Sequence, residues 1–312
     1  MSKIAFVFPG QGSQKVGMGK DLLEKFPEAR AVFEAVDDAL REKLSTLCFE
    51  GPEEALKLTA NTQPAILTVS LAVHAVFSKR VQEPAFVAGH SLGEYSALVA
   101  ASSLPLADAV RAVRARGTFM QEAVPSGVGA MAAVLGLEPD KVKAACDAAA
   151  QGEVVAPANY NSPEQTVIAG HASAVSRASV MLKEAGAKRV MPLPVSAPFH
   201  CALMDSVKPL LAEALGKVKV AAPRIPVVTN VEAQPNSDAA RVVPLLLEQV
   251  SAPVRWIECV EALKAAGVTR VVELGPGKVL AGLVKRISKD IETFNVEDAA
   301  SLEKTLAALG AA

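Results

Sequence analysis

Short unbroken apolar runs alternate along this chain with longer stretches whose apolar positions recur every three or four residues. Residues 4–8, 85–88 and 225–228 are of the first kind, the appearance of short parallel strands buried on both faces, and residues 270–274 read as a further strand. Residues 20–47 read as a long amphipathic helical region. Residues 64–79 are apolar on nearly every side, the pattern of a buried helix, and residues 106–124 form a further helix. Such alternation predicts a layered α/β fold.

Pro125-Ser126-Gly127 interrupts the alternation. After it come a strand (130–135), a helix (139–150), two strands (154–159 and 166–169), a helix (172–185) and a strand (189–193). That β-α-β-β-α-β order is the ferredoxin-like plan. Pro192, Pro194 and Pro198 then mark the return to the larger body. The expected organisation is a discontinuous catalytic domain, 1–124 and 196–312, with a ferredoxin-like subdomain at 125–195 inserted into it.

Composition narrows the classes. The 312 residues are 51% hydrophobic with a formal net charge of −1, so a large core is available and the broad basic footprint of a nucleic-acid binder is absent. The longest apolar run, 65–77, is interrupted by Thr68, Ser70 and His74 and is too short to span a bilayer. Met1-Ser2-Lys3-Ile4 leads straight into a strand and lacks the features of a signal peptide. Cys48, Cys146, Cys201 and Cys259 lie far apart, which fits reduced thiols in a cytoplasmic protein without a disulfide framework or a zinc site.

The chemistry concentrates at Gly89-His90-Ser91-Leu92-Gly93, between an apolar strand and helix-like sequence. A Gly-x-Ser-x-Gly turn holds its serine on a sharp bend with the hydroxyl exposed. The Leu92 N–H then stands at a helix start, where it can face a developing oxyanion. A serine needs a base, and four histidines are available. His74 falls in the buried-helix pattern, His171 opens a helix, and His90 is adjacent to Ser91 and should point elsewhere. His200, in the Ser196-Ala197-Pro198-Phe199-His200 return between the two units, is the candidate base. No carboxylate stands out to complete a triad; a backbone carbonyl or an amide would serve to orient the imidazole. Arg116, flanked by apolar residues and followed by Gly117, is expected to point inward. Two partners are open for it: a buried carboxylate such as Glu94, or the carboxylate of a substrate. Gly10-Gln11-Gly12 lacks the rest of a phosphate-loop or dinucleotide fingerprint.

Together these motifs resemble the malonyl-CoA:acyl carrier protein transacylases of bacterial type II fatty-acid synthesis. The matching pieces are Phe8-Pro9-Gly10-Gln11-Gly12-Ser13-Gln14, Gln63-Pro64-Ala65, the Ser91 turn with Glu94-Tyr95, Arg116-Gly117, Asn159-Tyr160-Asn161, Ser196 to His200, Gln249 within residues 248–254, and Glu273-Leu274-Gly275-Pro276-Gly277. The resemblance implies an α/β-hydrolase-like large domain with a ferredoxin-like insert. It implies Ser91 as nucleophile and His200 as base, oriented by the Gln249 carbonyl. It implies oxyanion donors at the Gln11 and Leu92 amides and a substrate carboxylate on Arg116. Phe199 and Asn161 are expected to line the substrate site. The implied reaction is ping-pong malonyl transfer from malonyl-CoA to the phosphopantetheine thiol of acyl carrier protein, with no metal or other cofactor. Lys183, Lys188, Arg189, Lys285 and Arg286 are candidates for a basic patch facing an acidic carrier. A serine esterase or thioesterase, and a non-catalytic carrier-binding subunit, are the competing readings.

Overall fold

The computed structural model describes residues 3–125, 127–195 and 197–311. Ser126 and Ser196, at the two expected crossings between the units, and the terminal Met1, Ser2 and Ala312 lie outside the described residues. Among the described residues ten strands occur in chain order: β1 (Lys3–Phe8), β2 (Phe86–Gly89), β3 (Gly129–Leu135), β4 (Val155–Ser162), β5 (Gln165–His171), β6 (Arg189–Pro192), β7 (Val227–Val228), β8 (Pro235–Asn236), β9 (Val268–Leu274) and β10 (Glu292–Val296).

The larger sheet has the order β10-β9-β1-β2-β7-β8. Its strands pair in parallel except for β7 with β8. Alternate residues of β1 explain the unbroken apolar run. Phe6 and Phe8 face one core with Ile66, Val73 and Phe77. Ala5 and Val7 face the other with Trp256, Val260 and Leu283. Both faces are covered, so from Ala5 to Phe8 no position of the strand is free to be polar.

The buried helix on the Phe6 and Phe8 side runs Thr59–Phe77, five residues earlier than the sequence suggested. Pro64 lies inside it and lacks an N–H for the Ala60 carbonyl. Arg114 Nη1 donates to that carbonyl instead, at 2.8 Å. Gly117 permits the approach: a Cβ there would stand 2.6 Å from the Thr59 oxygen. The Leu106–Glu122 helix therefore lies tightly on the start of the Thr59–Phe77 helix.

The expected single helical region at 20–47 is instead three helices, Lys20–Lys25, Pro27–Leu40 and Leu44–Glu50. Proline disfavours helical geometry in the residue before it, and Phe26 is extended at φ −125°, ψ 119°. Arg41, left-handed at φ 55°, ends the second helix.

The smaller sheet has the order β4-β5-β3-β6, antiparallel throughout, with helices Pro139–Ala150 and Ala172–Glu184 packed on one face. Val134, Val142, Cys146, Ile168, Ala178 and Leu182 form its own core. Its other face gives Met131, Ala133, Val167 and Ala169 to the main core. Asn159 and Val254 form a parallel bridge between the two parts. The whole is an α/β-hydrolase-like body carrying a ferredoxin-like insert. All four cysteines are buried and unpaired. Among the described residues no helix is long and apolar enough to cross a membrane.

The turn after β2 is fixed by two glycines. A Cβ on Gly89 would stand 1.9 Å from the Gly93 carbonyl carbon, and one on Gly93 would stand 2.0 Å from the Phe8 oxygen at the end of β1. Both obstacles are backbone atoms inside the core, so neither can move aside cheaply. Gly93→Ala is expected to lower unfolding stability by about 3 kcal/mol or more, a large overpacking cost. Chemical denaturation of the purified variant measures it; a loss below about 1 kcal/mol would show that the turn relaxes freely.

Candidate active site

Strands β1 and β2 are parallel neighbours, so the loops that follow them emerge at the same sheet edge. The first loop brings Gln11; the second is the Ser91 turn. Ser91 has φ 51°, ψ −107°, a conformation that costs a non-glycine residue of order 1–3 kcal/mol. Asn230, just after β7, holds it there. Its Oδ1 accepts the Ser91 N–H at 2.7 Å and its Nδ2 donates to the Gly89 carbonyl at 2.7 Å. Leu92 opens the Leu92–Ala100 helix, so the positive end of the helix dipole lies beside the serine. Neither the Leu92 nor the Gln11 backbone N–H has an acceptor among the described residues.

His200 comes to the serine from the returning segment. Its Nε2 lies 2.7 Å from Ser91 Oγ. Its Nδ1 lies 2.9 Å from the Gln249 carbonyl and 3.2 Å from that of Ala252. Two acceptors at Nδ1 place the proton there, which leaves Nε2 a lone pair to receive the serine proton. The Gln249 carbonyl is available because this residue ends the Ala239–Gln249 helix, where carbonyls have no partner in the next turn. Burial, and after it the nearby Arg116 charge, holds the imidazole pKa down at about 3. His200 is thus a neutral base in this site. Its own φ of 60° shows that both members of the pair are held in unusual backbone geometry.

Arg116 is 1% exposed. Its Nη2 donates to Gln249 Oε1 at 2.9 Å and reaches Ser91 Oγ at 3.2 Å, and its Nη1 donates to Gln63 Oε1 at 2.7 Å. The guanidinium also sits over the Tyr95 ring, 5.5 Å from its centre. The expected alternative of a direct ion pair with Glu94 is not what forms. Glu94 stands one side chain further back, where its Oε2 accepts Gln249 Nε2 at 2.8 Å and the Asn230 N–H at 2.9 Å. Burial pushes its carboxyl pKa up to about 7 against these bonds.

The other three histidines do not meet Ser91. His90 packs on Trp256 at 5.7 Å between ring centres, and its Nε2 lies 2.8 Å from Asn161 Oδ1. His74 packs edge-on against Phe6 and Phe8, and burial holds it at about 4. His171 Nδ1 accepts the Val154 N–H at 2.9 Å. Ser91, Leu92, Arg116, Phe199, His200 and Gln11 line one cleft of about 110 Å³, closed on its apolar side by Met120, Met131, Leu193 and Val195. Asn161 lies outside that cleft. It lines an adjoining cavity of about 230 Å³ that runs toward Val279 and Leu283. Gln11, His90, Asn159 and Leu193 border both.

Sequence reasoning gave no role to Asn230 or Gln63, and offered Glu94 only as a direct partner of Arg116. All three are buried polar side chains that hold the reacting groups from behind. The one available signal was polar residues inside apolar helices and strands, which does not say which partner each will find.

An acyl transferase domain model matches residues 5–305. The Bacillus subtilis malonyl CoA-acyl carrier protein transacylase is 49% identical over 310 residues, covering 99% of this chain and 98% of that one. Its Escherichia coli K12 counterpart is 50% identical over 288 residues, 92% and 93% of the two chains. The acyl carrier protein S-malonyltransferase of Vibrio cholerae superposes with a TM-score of 0.95 at 50% identity, covering 97% of this chain and 100% of that one. A malonyl-transacylase solved in complex with a type II PKS acyl-carrier protein superposes at 0.96 with 45% identity, over 98% and 100%. With a strained serine, a neutral imidazole and a buried guanidinium on a scaffold matched almost end to end, this chain belongs to the acyl transferase domain family.

Proposed function

We propose that this protein moves a malonyl group from malonyl-CoA to the phosphopantetheine thiol of an acyl carrier protein, through a malonyl ester on Ser91. The observation that carries the reading is the meeting at Ser91 Oγ of His200 Nε2 at 2.7 Å and Arg116 Nη2 at 3.2 Å. A base and a fixed cation beside one nucleophile suit an acyl group that ends in a free carboxylate. The full-length relatives named as malonyl transacylases, and one solved with a carrier protein, support transfer to a carrier thiol over release to water.

His200 takes the Ser91 proton as Oγ attacks the thioester carbonyl. The tetrahedral oxyanion forms against the Gln11 and Leu92 amides; losing one such donor costs about 3 kcal/mol of barrier. The C–S bond breaks, and the imidazolium returns its proton to the departing CoA sulfur. The carrier thiol then gives its proton to His200, attacks the ester, and releases Ser91, which recovers the proton. The Gln249 and Ala252 carbonyls keep the imidazole in the required tautomer through both halves. Arg116 receives the malonyl carboxylate, and Phe199 supplies an apolar wall beside the acyl group. Asn161 acts one layer out by fixing His90. The chemistry calls for no metal or other cofactor, and the reduced, buried cysteines fit a cytoplasmic setting. The carrier is placed toward the second cavity. Exposed Lys285 and Arg286 end the Val279–Ile287 helix that borders it, and Arg286 Nη1 donates to the lining Gln165.

Three outcomes test the reading. Intact-protein mass after incubation with malonyl-CoA should show a malonyl adduct that Ser91→Ala abolishes; an adduct on the variant would place the nucleophile elsewhere. Arg116→Ala should lower kcat/KM for malonyl transfer at least about tenfold more than for acetyl transfer, the worth of a charge-assisted bond. Equal losses would reduce Arg116 to a structural part. Protonating His200 removes the base, so activity falls as pH drops through its pKa, and that pKa is held at about 3. The kcat/KM profile for acetyl transfer should therefore show no acid limb near the ordinary histidine value of about 6.5. A limb there that Glu94→Gln leaves in place would mean the imidazole is not held neutral by its burial.

A further inference from the structure

Arg116 is a buried cation whose hydrogen bonds, among the described residues, go only to uncharged oxygens. Gln63 Oε1 takes Nη1, and Gln249 Oε1 takes Nη2. No carboxylate lies within ion-pairing distance of it among the described residues. A buried guanidinium ordinarily finds a carboxylate, because taking a lone charge out of water is costly. A carboxylate is at hand here, yet it is kept back. Gln249 stands between, its Oε1 turned to Arg116 at 2.9 Å and its Nε2 turned to Glu94 at 2.8 Å. The amide cannot be reversed without facing its NH₂ to the guanidinium, and Ser91 O at 3.1 Å also requires a donor on the Glu94 side.

We propose that Gln63 and Gln249 set the acyl selectivity of the site: by holding Arg116 with neutral amide oxygens, they leave its charge uncancelled for the carboxylate of the incoming acyl group. The inference rests on the reading of Arg116 given above. A resident carboxylate in either place would satisfy the same N–H groups, neutralise the cation and repel the malonyl end. The site would then be a neutral pocket, suited to acetyl or a similar uncharged short acyl group. Gln63 and Gln249 are positioning residues in this scheme, since neither needs to touch the acyl chain. Glu94 belongs to it as the acceptor that fixes which way the Gln249 amide faces.

Near-isosteric exchanges separate charge from shape. Rates are taken per serine labelled by an organophosphorus serine reagent, so misfolded protein is not counted. In Gln63→Glu the ratio of malonyl to acetyl kcat/KM should fall at least about thirtyfold, because the charge of the guanidinium is cancelled where it stands. The exchange pair Glu94→Gln with Gln249→Glu moves the carboxyl forward by a single side chain, against the guanidinium that favours its ionised form, and should lower the same ratio at least about tenfold. Glu94→Gln alone retains an oxygen for Gln249 and Asn230, and should leave the ratio within about threefold. A ratio unchanged in Gln63→Glu, or in the exchange pair where Gln63→Glu does not fold, overturns the proposal. So does a tenfold fall in Glu94→Gln alone. Failure of the underlying reading is visible without these variants: the unmodified protein would then show no preference for malonyl, or Arg116→Ala would affect both acyl groups alike.

Discussion

The contact on which the site depends is the wedge of the Ser91 turn between the ends of β1 and β7. Gly93 lies against the Phe8 carbonyl, and Asn230 grips Ser91 N–H and Gly89 O from the other side. Held at both flanks, the serine keeps a backbone geometry it would otherwise leave. Its hydroxyl is thereby fixed above the sheet edge, beside the start of the Leu92–Ala100 helix, and His200 finds Oγ at hydrogen-bond distance. The strain is local, while the packing that sustains it is the main core.

A second feature is the ordering of charge behind the serine. Glu94, Gln249, Arg116 and Gln63 form one buried chain in which each contact pairs a donor with an acceptor. The same Gln249 serves twice, its carbonyl on His200 and its amide between the guanidinium and the Glu94 carboxyl. One residue at a helix end thus couples the orientation of the base to the orientation of the cation. The nearby cation in turn helps to keep the imidazole neutral. The orientation and basicity of His200 and the placement of Arg116 are linked through a few shared atoms.

The insert completes the site instead of standing apart from it. Met131 and Asn159 come from its sheet, and Leu193 and Val195 from the segment that leaves it, to wall a cleft whose reacting groups all belong to the larger body. The bridge between Asn159 and Val254 ties that wall to the loop carrying Ala252, which holds His200. A substrate entering between the two parts is therefore enclosed by both.

The sequence by itself determined the layers, the insert and the sharp turn that carries Ser91. Period, apolar runs and the glycines of the turn are local properties, and local properties survive without coordinates. It misjudged residues 20–47, where Pro27 and a left-handed Arg41 break a pattern that periodicity alone joins. It left the partner of Arg116 open between a protein carboxylate and a substrate one. Only the tertiary structure set aside the direct pair with Glu94, by placing Gln249 between Arg116 and Glu94 although 133 residues separate it from the arginine along the chain. Asn230 was likewise invisible, for its worth lies in a hydrogen bond to a serine 139 positions away. Which buried polar groups meet is set by how the strands and helices cross, and a linear pattern carries no record of that crossing.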